Sequence, residues 1–167
     1  MSAPALELLA IGNELLLGET VDTNSAWIAQ RLAREGITVA RKTTVGDDVA
    51  LIRDALHDAL RRHRTVICTG GLGPTVDDLT RHALAELYGR RIVVDEGWVD
   101  TLRDRYARRG LVMPEINRVQ GEHPEGATLL PNARGTAPGI VMDNPALGMS
   151  VLLPGVPGEM RGLMDDA

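Results

Sequence analysis

Residues 69–80 read TGGLGPTVDDLT, between the apolar run TVIC (65–68) and DLTRHALAELYG (78–89), which has the composition of a helix. A strand that ends in glycines and runs straight into a helix forms a cup of backbone N–H groups at the helix N-terminus, where the partial positive charge favours an anion. Phosphate is the natural guest. A side chain at Gly70, Gly71 or Gly73 would stand where phosphoryl oxygens approach, and such turns often need positive φ. The stretch is not a P-loop, since no Lys follows the last glycine, and its spacing does not match the dinucleotide fingerprint G-x-G-x-x-G.

Asp77 and Asp78 follow at the expected start of the helix. Two adjacent acids beside an anion site repel the anion unless positive charge sits between them. A divalent cation, which prefers oxygen ligands, resolves the conflict. Capping of the helix by one of the pair is the alternative.

Working outward, strands and helices alternate. Leu6 to Ile11 is an apolar run ended by Gly12, as in a strand buried on both faces. GNELLLGETVDTN (12–24) reads as a loop, with Asp22 or Thr23 capping a helix that carries Trp27, Ile28 and Leu32 and stops at Gly36. ITVARKTTV (37–45) is the second strand. Asp47 is the expected N-cap of the next helix, whose Ile52, Ala55, Leu56 and Ala59 share one face. Arg61, Arg62 and Arg64 gather at its far end and read as solvated.

TVICTG is the third strand and Gly89 closes the third helix. Beyond Arg91, RIVVD reads as extended and EGWVDTLRDRYARRG as a helix ending at Gly110. MPEINRVQGEHPEG is turn-rich with one helical turn, ATLL, GIVMD and MSVLLPG are short strands, and VPGEMRGLMDD is a final helix starting just after Pro157. Successive βα units predict a parallel sheet with right-handed crossovers in one domain over residues 1–167. Ligands of such sheets bind at the carboxyl ends of the strands. There the loops carrying Glu14, Asp22, Asn24 and Asp47 are expected to converge with Asp78, and PGVPGEM (154–160) repeats the pattern of strand, glycine turn and helix start, with Gly155 and Glu159.

Composition narrows the function. The chain has 167 residues, 44% hydrophobic and 25% charged, close to the average of soluble globular proteins. No apolar run reaches a membrane span and the N-terminus lacks the features of a signal peptide, so the expectation is a cytoplasmic protein without a membrane partner. A net charge of −5, with 2% aromatics and no Phe, argues against nucleic acid as a partner. The one cysteine, Cys68, reads as a small buried hydrophobe. His57, His63 and His82 on helices and His123 in a loop lack metal-ligand spacing, and the arginines of RDRYARRG read as a solvated helix face rather than a phosphate clamp, with Arg108 and Arg109 within reach of a neighbouring subunit.

Taken together, GNELLLGETVDTNSAWIAQRLAREG, TTVGDD, TGGLGPTVDDLT, MPEINRVQ, PEGA, GTAPG and LLPGVPGEM resemble, in order and spacing, the CinA branch of the molybdopterin-binding (MoaB/Mog-like) domain family. The resemblance implies an α/β fold, a three-layer αβα sandwich with a mostly parallel central sheet, assembled as a homo-oligomer. It implies a small-molecule ligand carrying a nucleotide or pterin phosphate. Gly70, Gly71, Gly73, Thr75, Asn24 and Gly155 would bind that phosphate or nucleotide. Asp47, Asp77 and Asp78 would hold a divalent metal, Mg or Co, and Asp47, Asp78 and Glu14 would be catalytic, with Glu14 orienting water.

In the CinA branch the implied activity is metal-dependent ADP-ribose pyrophosphatase, giving AMP and ribose 5-phosphate. In the molybdenum-cofactor branch it is binding and adenylylation of molybdopterin. A non-catalytic assembly domain is a third reading. NRVQ departs from the family's N-x-K-Q: Val119 stands where a Lys is usual, and if that Lys contacts phosphate the expectation is either weaker binding or Arg118 as the substitute. The amidase-like second domain of longer family members is expected to be absent, and its activity with it.

Overall fold

A computed structural model describes residues 5–166. Eight strands and six α-helices run in the order β1 (Ala5–Ile11), α1 (Asn13–Leu16), α2 (Thr23–Arg34), β2 (Thr38–Val45), α3 (Val49–His63), β3 (Thr65–Thr69), α4 (Thr80–Tyr88), β4 (Ile92–Val94), α5 (Glu96–Ala107), a 3-10 helix (Glu115–Gly121), β5 (Glu122–Pro124), β6 (Thr128–Leu130), β7 (Gly139–Asn144), β8 (Gly148–Leu153) and α6 (Pro157–Asp166). The main sheet has the order β2-β1-β3-β8-β7-β6. β2, β1, β3 and β8 pair in parallel, and β7 runs antiparallel between β8 and β6.

Alternation along the strands builds both faces. Leu9, Ile11, Val66, Cys68 and Leu152 pack with Ile52 and Leu56 of α3 and Ala83 and Leu84 of α4. Leu6, Leu8, Ile67 and Leu153 pack with Ile28 and Leu32 of α2 and Met160 and Leu163 of α6. The result is the expected three-layer αβα sandwich. Strands buried on both faces need apolar residues at nearly every position, which is why LLAI and VIC carry no polar alternation. Burial pushes the Cys68 thiol well above its ordinary pKa, as a small core residue requires.

One residue of β1 breaks the apolar run. Glu7 is 1% exposed, and its carboxylate accepts two bonds from Arg62, from Nε and Nη2 at 3.0 Å each, and one from Thr43 Oγ1 at 2.8 Å. Arg62 is therefore not a solvated helix end: it neutralises a charge that could not otherwise be buried. Arg64 adopts the left-handed region (φ 58) and donates to the carbonyls of Pro145 and Ala146.

Several boundaries differ from expectation. Asp48, not Asp47, caps α3, accepting from Leu51 N at 2.9 Å, and Asp22 caps α2 through Ser25 N. NELL forms a short helix within the expected loop, and α4 begins at Thr80, so both acids lie in the turn before it. The turn-rich segment contains a seven-residue 3-10 helix and β5, which pairs antiparallel with β4 in a second sheet; His123 lies in that strand rather than in a loop. Pro157 is itself the first residue of α6, where its fixed φ suits a helix start. Among the described residues no helix is long and apolar enough to cross a membrane.

Candidate functional site

In the order β2-β1-β3 the sheet's connections change direction between β1 and β3, the position at which open parallel sheets form a crevice. A crevice of about 540 Å³ lies there, between the loops that follow β1, β2, β3 and β8. Glu14, Asn24, Asp47, Asp77, Asp78 and Gly155 line it, as do Gly70, Gly71 and Gly73; Thr75 does not.

The loop after β3 is held from behind by α4. Thr80 Oγ1 donates to Gly70 O at 2.9 Å, and Thr80 N donates to Gly71 O at 3.2 Å. Arg81 is 2% exposed; its Nη2 donates to Leu72 O at 2.6 Å and to Gln120 Oε1 at 3.3 Å, and its Nη1 to Gly73 O at 3.3 Å. In a trans peptide the C=O and the following N–H point in opposite directions. With Gly70 O tied to Thr80 and Leu72 O tied to Arg81, the N–H groups of Gly71 and Gly73 are turned away from α4. Neither has an acceptor among the described residues. The Gly70 N–H is different: it donates to Leu153 O at 3.1 Å and is not available to a ligand.

Gly70 and Gly71 are required by backbone conformation and by contacts on the protein side. Gly70 and Gly71 have φ of 103° and 66°, and a Cβ on them would lie 2.2 Å from Ile11 O and 2.1 Å from Thr80 Oγ1. At Gly73 it would meet Asp78 Oδ2 at 2.5 Å. The expectation that a side chain here would occupy the phosphate's place gives way to these nearer contacts.

Asp78 Oδ2 accepts from Thr75 N at 2.8 Å and Thr75 Oγ1 at 2.6 Å, closing the turn. Thr75 is thus a partner of Asp78, and the phosphate-binding role expected for it is not supported by its placement. Asp47 Oδ2 accepts from Asn13 N at 2.9 Å, while Asn13 Oδ1 accepts from Asp47 N at 3.2 Å. This reciprocal pair locks the loops after β1 and β2 together. Glu14 folds over Gly12, where a Cβ would come within 2.4 Å of its carboxylate. Asn24 Nδ2 donates to Gly155 O at 2.8 Å, leaving its buried Oδ1 unpaired.

Asp47 and Asp78 each have one oxygen committed inside the protein. Among the described residues no three His, Cys, Asp or Glu side chains converge in a way that could hold a metal ion. The acids therefore do not make an all-protein cage. Asp47 and Asp78 each keep a second oxygen that takes no hydrogen bond among the described residues. The need for positive charge that pointed to a metal is met in part by Arg81. Burial lowers its pKa, Glu122 and Asp78 oppose that shift, and a guanidinium stays protonated regardless.

Arg118, the expected stand-in for the missing Lys, pairs instead with Glu96 on α5 and does not line the crevice. Arg105 is not part of a solvated face: its Nη1 donates to Asn132 O at 2.7 Å and Gly135 O at 2.9 Å, and its guanidinium lies 5.0 Å from the Trp98 ring centroid. Asn13, Thr80, Arg81 and Gln120 were not found from sequence. A helix that opens with Thr-Arg directly after a glycine turn is the signal for two of them, and Gln120 is the last residue of the NRVQ motif; Asn13 has none.

The family model described as "Probable molybdopterin binding domain" matches residues 7–167. The chain is 46% identical over 162 residues to a CinA-like protein of Gemmatimonas aurantiaca, covering 96% of this chain and 38% of that protein. It is 50% identical over 159 residues to one of Geobacter metallireducens, covering 95% and 38%. The chain thus spans well under half the length of these relatives. The crystal structure of the protein CinA with unknown function from Thermoplasma acidophilum superposes with a TM-score of 0.88 at 33% identity, covering 98% of this chain and 95% of that one. The molybdopterin biosynthesis enzyme MoaB of Thermus thermophilus gives a TM-score of 0.61 at 21% identity, covering 96% and 87%, a likeness of fold alone. On these matches the chain belongs to the molybdopterin-binding domain family, among its CinA-like members.

Proposed function

We propose that the crevice binds a small molecule of the molybdopterin class, with the Gly71 and Gly73 amides receiving its phosphate. The observation that carries this reading is the pair of outward-turned, unpaired amides backed by the buried Arg81. Fixed N–H dipoles and a desolvated positive charge favour an anion without reorganisation. The family model's description supports a pterin as the remainder of the ligand. Calorimetric titration with molybdopterin tests it: saturable binding is expected, weakened at least tenfold in Gly73→Ala, whose added Cβ displaces Asp78. Absence of binding, or equal affinity in Gly73→Ala, rejects it.

Metal-dependent hydrolysis of ADP-ribose is a second reading, favoured by the gathering of Asp47, Asp77, Asp78 and Glu14 on the same crevice. Water would attack one phosphorus, breaking the P–O bond of the diphosphate and releasing AMP and ribose 5-phosphate. The uncommitted oxygens of Asp47 and Asp78 would hold a divalent ion beside the diphosphate; such an ion neutralises charge and lowers the pKa of a bound water. Glu14 would orient that water, and the amides of Gly71 and Gly73 would stabilise charge on the phosphoryl oxygens. Formation of AMP from ADP-ribose with Mg or Co, abolished in Asp78→Ala, supports this reading. No AMP with either metal excludes it.

A further inference from the structure

A second cavity, of about 140 Å³, lies behind the turn that forms one wall of the crevice. Arg105 of α5, Arg109 in the turn just after that helix and Arg134 of the 131–138 loop line it, with Tyr106, and no carboxylate does. Thr136 lines both cavities, so the two are neighbours.

The charge here is uncompensated. Arg103 and Arg118, close by, pair with Asp100 and Glu96, whereas Arg105, Arg109 and Arg134 make no ion pair among the described residues. Arg105 is positioned by its bonds to Asn132 O and Gly135 O, and Arg134 by Nη1 donating to Gly158 O at 3.2 Å; each keeps further N–H groups. Arg109 makes no side-chain hydrogen bond among the described residues. Glu159, the carboxylate against the other side of Gly135, is held by Asn132 Nδ2 at 2.6 Å and lines the crevice instead. Three arginines and no carboxylate line one small hollow, in a chain of net charge −5. Their planar forks match phosphate oxygens.

We propose that Arg105, Arg109 and Arg134 form a second anion site that takes a phosphoryl group. The group is either the far end of the crevice ligand or a separate phosphate; only the first assignment rests on the crevice reading. Inorganic phosphate titrated into the whole chain, followed by residue-resolved amide shifts, separates the sites. Saturable shifts are expected at Gly135 and Thr136, with affinity at least tenfold weaker in Arg109→Gln/Arg134→Gln and several-fold weaker in Arg109→Gln, which disturbs no bond. Shifts at Gly71 and Gly73 should be unchanged in both variants. No saturable shift at Gly135 and Thr136, or equal affinity in the folded double variant, overturns the second site. Failure of the crevice reading shows separately, as silence at Gly71 and Gly73. Repeating the titration with ADP identifies the source: weaker binding of ADP in the double variant assigns the phosphoryl group to the crevice ligand, and unchanged ADP affinity beside lost phosphate binding assigns it to a separate anion.

Discussion

The turns after β3 and after β8 follow one plan, apolar strand, glycine turn and helix start, and they pack against each other: a Cβ on Gly155 would lie 3.4 Å from Gly70 Cα. Yet they end differently. After β3, the first two residues of α4 reach back and tie the carbonyls of Gly70, Leu72 and Gly73 inward, which turns amides outward. After β8, the helix opens with Pro157, the Gly155 carbonyl is taken by Asn24, and Glu159 is folded over Gly135. Only the turn after β3 has its carbonyls fixed by side chains of the helix that follows, and that is the turn proposed here as the anion cup.

Removing Arg81 breaks the comparison most severely. Arg81→Met leaves Leu72 O, Gly73 O and Gln120 Oε1 without their donor, at a cost of about 3–5 kcal/mol for an unbalanced buried polar cluster. Urea unfolding measures it, and phosphate binding at Gly71 and Gly73 should be lost in the folded fraction. A cut at a second buried polar cluster provides a reference. Arg62→Met strands the Glu7 carboxylate and should cost on the order of 2–3 kcal/mol, less than a fully buried pair because Arg62 is partly open to water. Crevice binding should be intact in that variant, which separates stability from function.

Thr80→Val sharpens the comparison. It removes one buried hydrogen bond, about 1–2 kcal/mol, and frees the peptide that orients the Gly71 amide, so ligand affinity should fall several-fold in calorimetry. On the β8 side Glu159→Gln keeps an acceptor for Asn132 and should change stability by less than about 0.5 kcal/mol in urea unfolding. The smallest effect is one of pH. Arg118 holds the Glu96 carboxyl below its ordinary pKa. Its stabilising contribution is therefore present above the unfolded-state pKa and is lost as pH falls through the folded one. Urea midpoints measured from pH 6 downward should show Arg118→Gln converging on the parent at acid pH and differing above it.

The sheet was legible because its strands are continuous apolar runs punctuated by glycine, and because βα alternation leaves one default topology. The convergence of Glu14, Asp22, Asn24 and Asp47 with Asp78 on one crevice followed from loop order alone. Adjacent acids were harder. In Gly46-Asp47-Asp48 either carboxylate suits an N-cap, and only the reciprocal bonds between Asn13 and Asp47 decide that Asp48 does it. Partners far apart in sequence left little trace, as with Glu7 and Arg62, although a charge inside LELLAI does announce that a counter-ion must exist. The second sheet escaped notice because three-residue strands carry no measurable periodicity. Arg81 was passed over because an arginine on a helix is usually solvated, whereas this one faces the back of the glycine loop.

The central claim is that phosphate meets the amides of Gly71 and Gly73. A crystal structure with a bound pterin phosphate or ADP-ribose tests it most directly. Phosphate oxygens within hydrogen-bonding distance of both nitrogens, with Arg81 still holding Leu72 O and Gly73 O, is the predicted result. A phosphate bound elsewhere in the crevice, with those two amides facing protein or solvent, would contradict it.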